Sequence, residues 1–212
     1  MSDHLPFIDD PAHVALLEGQ RYLVLRPYGE VSSAHAAVQS LVRARLPGLP
    51  VSDPARAHVT LQGFPNSTSL EHVQTFAASW AAGVPPLRIE VERLSVFPAP
   101  FKTVIIQVRK TPHLFRALSS ARELAKRRGL PERPAGSVPS VDEWIFHMSV
   151  AYCSQLSDDD WSRVPSFIET LGVPSVACVV PYAELAAFDH GREYSGGLYP
   201  LSGPQTQQNG AV

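Results

Sequence analysis

Cysteine is scarce in this 212-residue sequence, which contains only Cys153 and Cys178. Small secreted domains that depend on disulfides carry more cysteines, so this pair favours reduced thiols in a cytoplasmic protein. Long hydrophobic runs are also missing, because no apolar stretch approaches the ~20 residues that cross a bilayer. The N-terminus has neither the basic start nor the apolar stretch of a signal peptide. We therefore expect a soluble, monomeric, cytoplasmic protein that does not bind membranes.

Signatures of several common enzyme classes are absent as well. The sequence has no Gly-x-Ser-x-Gly turn, which presents the serine nucleophile of α/β-hydrolases. It also lacks the glycine patterns of Walker and Rossmann nucleotide-binding sites. The eight histidines and two cysteines show neither the His-x-x-x-His nor the Cys-x-x-Cys spacing of a metal site. We therefore expect neither a bound metal nor a cofactor.

Basic residues do not exceed acidic ones, since 18 Lys and Arg stand against 20 Asp and Glu, for a net charge of −2. That balance argues against a protein that wraps long nucleic acid. Residues 102–133 nevertheless carry nine Lys or Arg against two Glu, a local charge of +7, which leaves −9 for the rest. This segment is either a solvated helix face or a positive surface beside a cleft, where it would favour a phosphate-bearing substrate.

Hydrophobic residues make up 44% of the chain, enough for one domain with a sizeable core. Apolar periodicity between turn residues predicts an alternation of strands and helices. Strands are predicted at 22–26, 57–61, 87–97, 102–108, 144–152, 175–180 and 184–188, and helices with their caps at 32–46, 68–83, 113–128 and 157–172. Residues 1–20 are interpreted as a lead-in, and the polar tail from Gly203 is predicted to be disordered.

A shift of 89 positions superimposes two parts of the sequence. Seven pairs agree without a gap: His58 with His147, Thr60 with Ser149, Thr68 with Ser157, Glu71 with Asp160, Gly83 with Gly172, Val84 with Val173 and Pro85 with Pro174. Thr68-x-x-Glu71 is the signature of a capping box at the start of a helix, and Ser157-x-x-Asp160 would cap the equivalent helix. We interpret the repeat as an internal duplication that gives two α+β lobes, about 21–100 and 101–202, related by a pseudo-twofold axis.

Each part of the repeat places a histidine and a hydroxyl two residues apart in a strand. Side chains at i and i+2 share one face of a strand, so His58 lies on the same face as Thr60, and His147 on the same face as Ser149. Apolar residues occupy the opposite faces of both strands. A pseudo-twofold arrangement would bring the two polar pairs together across a cleft.

Two imidazoles and two hydroxyls in one small volume suit phosphoryl chemistry without a metal. A histidine changes its charge near neutral pH, so one imidazole can act as general base while the other acts as general acid. Hydroxyl groups can donate to the non-bridging phosphoryl oxygens as negative charge builds in the transition state. In-line displacement at phosphorus needs such groups on opposite sides.

The stretches His58-Val-Thr-Leu61 and His147-Met-Ser-Val150 resemble the paired His-x-(Thr/Ser)-hydrophobic motifs of the 2H phosphoesterase superfamily. This group includes the bacterial 2′-5′ RNA ligase/cyclic phosphodiesterase family and the plant-type cyclic nucleotide phosphodiesterases. The resemblance covers roughly residues 20–200. It implies an α+β fold in which two pseudo-twofold-related lobes line a central cleft with antiparallel sheets and carry helices outside.

The same resemblance implies a reaction and a role for each motif residue. The reaction is the opening of 2′,3′-cyclic phosphates at RNA ends or on nucleotides without a metal, with reversible 2′-5′ ligation as a side activity. His58 and His147 would form the acid/base pair, with Thr60 and Ser149 as phosphate-binding hydroxyls. RNA-ligase-like members often carry an arginine shortly after the second motif, where this chain has Tyr152. That difference favours hydrolysis over ligation and over binding of long RNA.

Four further residues are candidates for contacts with the substrate. Phe64 and Tyr152 follow the two motifs and would stack on a base, with a place in the core or the cleft wall as the alternative. Lys102 would reach a phosphate, with a solvated strand end as the alternative, and Tyr28 would contact the substrate after the first strand. The remaining six histidines are predicted to lie on the surface: His4, His13, His35, His72, His113 and His190.

Two alternatives to a cyclic phosphodiesterase remain open at this point. A non-catalytic module could bind RNA ends or nucleotides through the same cleft, although binding alone does not require a matched acid and base. A 2H enzyme could also act on a different nucleotide, such as an ADP-ribose cyclic phosphate. Formation of a monoester from nucleoside cyclic phosphates would distinguish an enzyme from a binding module. A panel of substrates would distinguish a cyclic phosphodiesterase from an enzyme that acts on ADP-ribose derivatives.

Overall fold

The chain folds as an alternation of short strands and helices, much as the sequence predicts. The computed structural model describes residues 14–204 except 16, 55, 100 and 132–138. Its elements are β1 (Arg21–Leu25), α1 (Glu30–Arg45), β2 (Val59–Phe64), α2 (Leu70–Ala82), β3 (Leu87–Phe97), β4 (Thr103–Val108), α3 (Pro112–Arg127), β5 (His147–Tyr152), α4 (Asp158–Glu169), β6 (Ala177–Val180), β7 (Tyr182–Asp189) and β8 (Arg192–Pro200).

The strands form two four-stranded sheets, and every neighbouring pair is antiparallel. Sheet one has the order β2-β1-β7-β8, and sheet two has the order β5-β4-β3-β6. The expected α+β fold with antiparallel sheets is therefore confirmed. Sequence analysis missed β8, because this strand contains Gly196 and Gly197 and leaves most of its side chains partly or fully exposed, so it lacks a clear alternation.

Each sheet combines strands from both halves of the sequence. Strand β3 belongs to the first half but pairs with β4 of the second, while β7 of the second half pairs with β1 of the first. The strand orders β2-β1-β7 and β5-β4-β3 are therefore equivalent, which agrees with the pseudo-twofold arrangement. Each half completes the sheet of the other, so neither sheet forms without both halves.

The core lies between the helices and one face of each sheet. Buried apolar residues from both sheets and all four helices form one continuous cluster, with Leu23, Leu61, Ile106 and Val150 among them. Helix α1 packs against β5, and α3 packs against β2, so each helix covers a strand of the other half. Within the described residues, no helix combines the length and the apolar character needed to span a membrane.

The two predicted helix caps have different outcomes. Ser157 accepts a hydrogen bond from the Asp160 amide at 3.1 Å and donates to its carboxylate at 2.7 Å, which confirms that Ser157 caps α4. The capping box predicted at Thr68 is wrong, because Ser69 is the N-cap of α2 and makes no capping bond with its side chain. Thr68 lies one residue earlier with a buried side chain, and its carbonyl accepts a 2.7 Å hydrogen bond from Arg21.

The start of the predicted tail is part of the fold. The Ser202 amide donates to the Ala81 carbonyl at 3.2 Å, and the Gly203 amide donates to the Val84 carbonyl at 3.0 Å. Gly203 is buried against the end of α2, and a Cβ atom on it would overlap the carbonyl group of Gly83. The prediction of a tail beginning at Gly203 is therefore corrected, and residues 205–212 lie outside the described residues.

Gly203→Ala should destabilise the protein, because the backbone of Gly83 cannot make room for the added methyl group. Overpacking of this kind costs about 1–3 kcal/mol of the free energy of unfolding, measurable by urea denaturation. Gly172→Ala is the matched control, since a Cβ atom there meets no atom within 4 Å. Equal stability of the two variants would contradict the packing of Gly203 against α2.

Candidate active site

The two histidine motifs lie on the strands where the sheets meet. Strands β2 and β5 are the edge strands of sheets one and two, and they contact each other. His58 lies immediately before β2, and His147 is the first residue of β5. Because β2 and β5 contact each other, the two histidines lie at neighbouring strands, and repulsion by His147 is one cause of the lowered pKa of His58. The fold thus brings together two motifs that are far apart in the sequence.

Both imidazoles are oriented by the same local hydrogen bond. The Nδ1 atom of His58 lies 3.2 Å from the carbonyl oxygen of Arg56, and the Nδ1 atom of His147 lies 2.9 Å from that of Ile145. A carbonyl oxygen only accepts, so Nδ1 must carry the proton in each ring. In the neutral form, Nε2 then has a free lone pair and can accept a proton. The two motifs therefore hold their histidines in the same tautomer.

The surroundings lower the pKa of both histidines. Burial is the main cause for each, because a low-dielectric environment disfavours the imidazolium ion. The pKa of His58 falls to about 3, since repulsion by Arg26 adds to the effect of burial. The pKa of His147 is also lowered by burial, against an opposing hydrogen bond to the Ile145 carbonyl. Both rings are therefore neutral at pH 7 in the unliganded protein.

The hydroxyl groups of the two motifs are half-buried on the faces of the histidines. Tyr152 lies beside the second motif, where its side chain is hydrogen-bonded to that of Ser149, and burial raises its pKa. The position predicted for Tyr152 next to this motif agrees with the structure, and its role as a substrate contact stays a prediction. Thr60 pairs with Val24 of β1, whose side chain faces away from the main core.

Sequence analysis missed an aromatic neighbour of His147. Phe97 packs edge-on against the imidazole, with the ring centroids 4.7 Å apart and the planes at 88°. It is the last residue of β3, the strand that crosses from the first half into sheet two. Only the strand exchange brings Phe97 to this site, so no local pattern could have indicated it.

His35 was predicted to lie on the surface, and this is wrong. Its side chain is buried, and Nε2 donates to the Ser149 carbonyl at 2.7 Å, which holds the backbone of the second motif. Gln39, one turn later on α1, donates to the Val150 carbonyl at 3.2 Å. The helical spacing of Val31, His35 and Val42 places His35 on the inward face of α1, and that spacing was the signal available in the sequence. Helix α1 thus supplies hydrogen-bond donors to backbone carbonyls at the outer edge of β5.

A second missed residue, Arg26, lies beside His58. Leu25 pairs with Val59, so the next step of the antiparallel ladder brings Arg26 next to His58. The Nε atom of Arg26 donates to the buried Glu184 carboxylate at 2.9 Å, and Nη2 donates to Glu193. Glu184 comes from β7, which the strand exchange places next to β1, and Glu193 comes from β8, which lies beyond β7 in the same sheet.

Phe64 and Tyr28, two of the residues proposed to contact substrate, have different surroundings. Phe64 is buried in the main core and packs edge-on against Phe76, so it has no free face for a base and is corrected to a core residue. Tyr28 has an exposed ring, and its hydroxyl donates to the Val179 carbonyl of β6 at 3.0 Å. A contact between Tyr28 and substrate stays a prediction.

Lys102 is also corrected, from a phosphate-binding residue to a structural one. Its side chain is buried, and Nζ donates to the Leu156 carbonyl at 2.7 Å and to the Asp158 carboxylate at 2.8 Å. These contacts fix the loop that precedes α4. Lys102 therefore closes a loop and does not face a cleft.

Most other cations of the basic segment also have local partners. Those partners are the Glu90 carboxylate for Arg109, the Val141 and Asp142 carbonyls for Lys110, the Pro139 carbonyl and Trp144 ring for Arg122, Glu123 for Arg127 and Ser79 for Arg128. Arg133 lies outside the described residues. These contacts favour the interpretation of residues 102–131 as a solvated, locally paired surface.

Lys102→Met should lower stability without weakening nucleotide binding. The Leu156 carbonyl would lose its buried partner, which costs about 1–3 kcal/mol of the free energy of unfolding in a urea titration. The exposed Lys126→Met is the matched control and should change that free energy by less than about 0.5 kcal/mol. A Lys102→Met protein with normal stability and weaker phosphate binding would restore the phosphate-binding interpretation.

Comparison with known proteins places this arrangement in a family. The model of the 2′-5′ RNA ligase superfamily matches residues 19–177. Among solved structures, TT0787 of Thermus thermophilus is 15% identical with a TM-score of 0.63, and the match covers 87% of this chain and 98% of that one. Escherichia coli LigT complexed with 3′-AMP is 16% identical with a TM-score of 0.59, over 87% and 98% of the two chains.

A second LigT structure, complexed with NADP+, is 18% identical with a TM-score of 0.58, and the match covers 87% of this chain and 99% of that one. At such identities these structures establish the fold alone. No match is found among the curated proteins. The family match spans most of the sequence and contains both histidine motifs, so the chain belongs to the 2′-5′ RNA ligase superfamily.

Proposed function

We propose that the protein is a metal-independent phosphodiesterase that hydrolyses 2′,3′-cyclic phosphates on nucleotides or RNA ends. The observation that supports this most directly is the matched orientation of His58 and His147, which leaves Nε2 of each ring available for proton transfer. A site that only binds a phosphate has no need for two rings prepared in the same tautomer. The structure of LigT complexed with 3′-AMP adds support, since a neighbour with this fold accommodates a nucleotide phosphate.

The reaction uses the two imidazoles on opposite sides of phosphorus. One neutral ring accepts a proton at Nε2 from a water molecule, whose oxygen attacks phosphorus. The bond from phosphorus to one ribose oxygen breaks, and that oxygen takes the proton from Nε2 of the second, protonated ring. Thr60 and Ser149 donate to the non-bridging oxygens as charge accumulates. The product is a phosphomonoester, and proton exchange with solvent restores both rings.

The same arrangement would accept a ribose 5′-hydroxyl in place of water, which gives 2′-5′ ligation. The position of Tyr152, where RNA-ligase-like members often have an arginine, removes a cation that could hold a longer RNA backbone. We therefore propose hydrolysis of a short anionic end as the main reaction. The local contacts of the basic segment agree with this, since several of its cationic side chains are held by neighbouring groups of the same protein.

Removing either imidazole should nearly abolish hydrolysis. His58→Ala and His147→Ala should each lower kcat for a nucleoside 2′,3′-cyclic phosphate by about 10²–10⁴-fold, because each removes one general acid or base. Chromatography of the monoester product measures the rate, and circular dichroism checks the fold. The exposed His72→Ala on α2 is the matched control. Near wild-type turnover by either active-site variant, or loss of activity in EDTA, would contradict the proposal.

The pH dependence should be bell-shaped, because one ring must be neutral while the other is protonated. The profile of kcat/KM reports the free enzyme, in which burial lowers the pKa of both histidines. The alkaline limb of the kcat/KM profile marks the pH at which the general acid loses its proton. Because the pKa of that acid is lowered, the fall of kcat/KM with rising pH should begin below about pH 6.5. A bound anionic phosphodiester raises both pKa values, so the optimum of kcat should lie at higher pH. Identical, flat profiles would contradict this.

A substrate panel identifies the natural class of substrate. Nucleoside 2′,3′-cyclic phosphates, an ADP-ribose cyclic phosphate and an RNA oligomer with a cyclic end should be compared by kcat/KM. We expect the mononucleotide to be hydrolysed at least as well as the oligomer. Preference for the ADP-ribose derivative would indicate a related 2H enzyme, and tight binding of all three without turnover would indicate a binding module.

A further inference from the structure

The two histidines have different neighbours at equivalent positions of the duplicated fold. Val24 pairs with Thr60 in sheet one, and Ile105 pairs with Ser149 in sheet two, so these two pairs correspond. Two residues further along β4, Gln107 pairs with His147. The corresponding step in sheet one places Arg26 beside His58. One imidazole therefore lies next to a cation, and the other lies next to a neutral amide.

Arg26 is held rigidly at this position. Its side chain is 13% exposed, and it pairs with Glu184, of which 2% is exposed, and with Glu193. Arg56, whose carbonyl orients His58, lies 3.5 Å from the second oxygen of Glu184. A guanidinium group stays protonated in proteins, so its charge persists at every pH at which the enzyme would work. The carboxylates fix the guanidinium beside His58.

The surroundings of His147 lack an equivalent cation among the residues that the structure describes. The Gln107 side chain accepts from Arg93 at 3.0 Å and donates to Glu92 at 3.1 Å, so the charges beyond it have opposite signs and are exposed. Phe97 covers the imidazole edge-on. Burial is the main cause of the lowered pKa of His147, whereas repulsion by Arg26 adds to the effect of burial at His58.

We propose that Arg26 is a positioning residue that makes His58 the general base and leaves the proton on His147, the general acid. This assignment rests on the proposed function, whereas the charge asymmetry can be measured without turnover. Repulsion between neighbouring cations disfavours the imidazolium ion of His58, so the single proton that the pair needs stays on His147. The charged and titratable groups that act on His58 are Arg26, His35 and His147, and the Arg56 carbonyl accepts its hydrogen bond. Glu184 and Glu193 pair with Arg26, and Glu184 also with Arg56.

In the assigned reaction, Nε2 of His58 accepts the proton of the attacking water as its oxygen bonds to phosphorus. The bond between phosphorus and the leaving ribose oxygen breaks, and Nε2 of His147 gives its proton to that oxygen. His58 ends protonated and His147 neutral, so a proton must leave His58 before the next cycle. The repulsion from Arg26 favours that departure.

The test is an NMR titration of the histidine Cε1–H resonances in the unliganded protein, assigned with His58→Ala and His147→Ala. In Arg26→Gln, the midpoint of His58 should rise by about 1–3 pH units, while that of His147 should move much less. Arg26→Lys, which keeps the charge, should restore most of the wild-type value. The mirror variant Gln107→Arg should lower the midpoint of His147.

Arg26→Gln alone leaves the buried Glu184 carboxylate without this partner, which could unfold the protein. The double variant Arg26→Gln/Glu184→Gln avoids this, because it replaces the buried ion pair with two neutral amides. It should raise the His58 midpoint as well. An unchanged His58 midpoint in both variants that lack the Arg26 charge would overturn the proposal, as would equal rises for both histidines. A wild-type protein that hydrolyses no cyclic phosphate but shows these shifts would refute the proposed function while supporting the electrostatic role of Arg26.

Discussion

The exchange of strands between the two halves is the constraint on which the rest of the structure depends. Because β3 pairs with β4 and β7 pairs with β1, the strand that carries each histidine motif is left at a sheet edge. These two edge strands contact each other, and the two histidines lie at the start of each. A fold in which each half kept its own strands would have no reason to place β2 against β5.

Edge strands expose backbone groups, and the exchange also determines what covers them. His35 and Gln39 on α1 donate to the carbonyls of Ser149 and Val150, while Ser52 forms an isolated bridge with Tyr152. A helix and a loop of the first half thus satisfy the edge of the second motif. The backbone of β5 is thus held in place, which the proposed proton transfer would require, because misplacement by about 1 Å is costly in catalysis.

Local patterns in the sequence were sufficient for the motifs and insufficient for their neighbours. The i, i+2 spacing of each histidine and hydroxyl, together with the repeat, predicted the two strands and their polar faces. Arg26 and Phe97 escaped prediction, since they reach the histidines only through pairings across the sheets. Lys102 and His35 were misplaced for a related reason. A polar residue is expected on the surface unless its buried partner is known, and those partners lie 54 and 114 residues away.

A duplicated site has two equal histidines, whereas hydrolysis needs unequal ones. The motifs themselves cannot supply the difference, because both rings have the same tautomer and the same type of backbone partner. The difference must come from positions at which the repeat has diverged. Arg26 and Gln107 occupy such a pair of positions, and they differ by a full charge next to the two rings. Glu184 and Glu193 hold that charge in place, so under the proposed assignment residues outside both motifs distinguish the acid from the base.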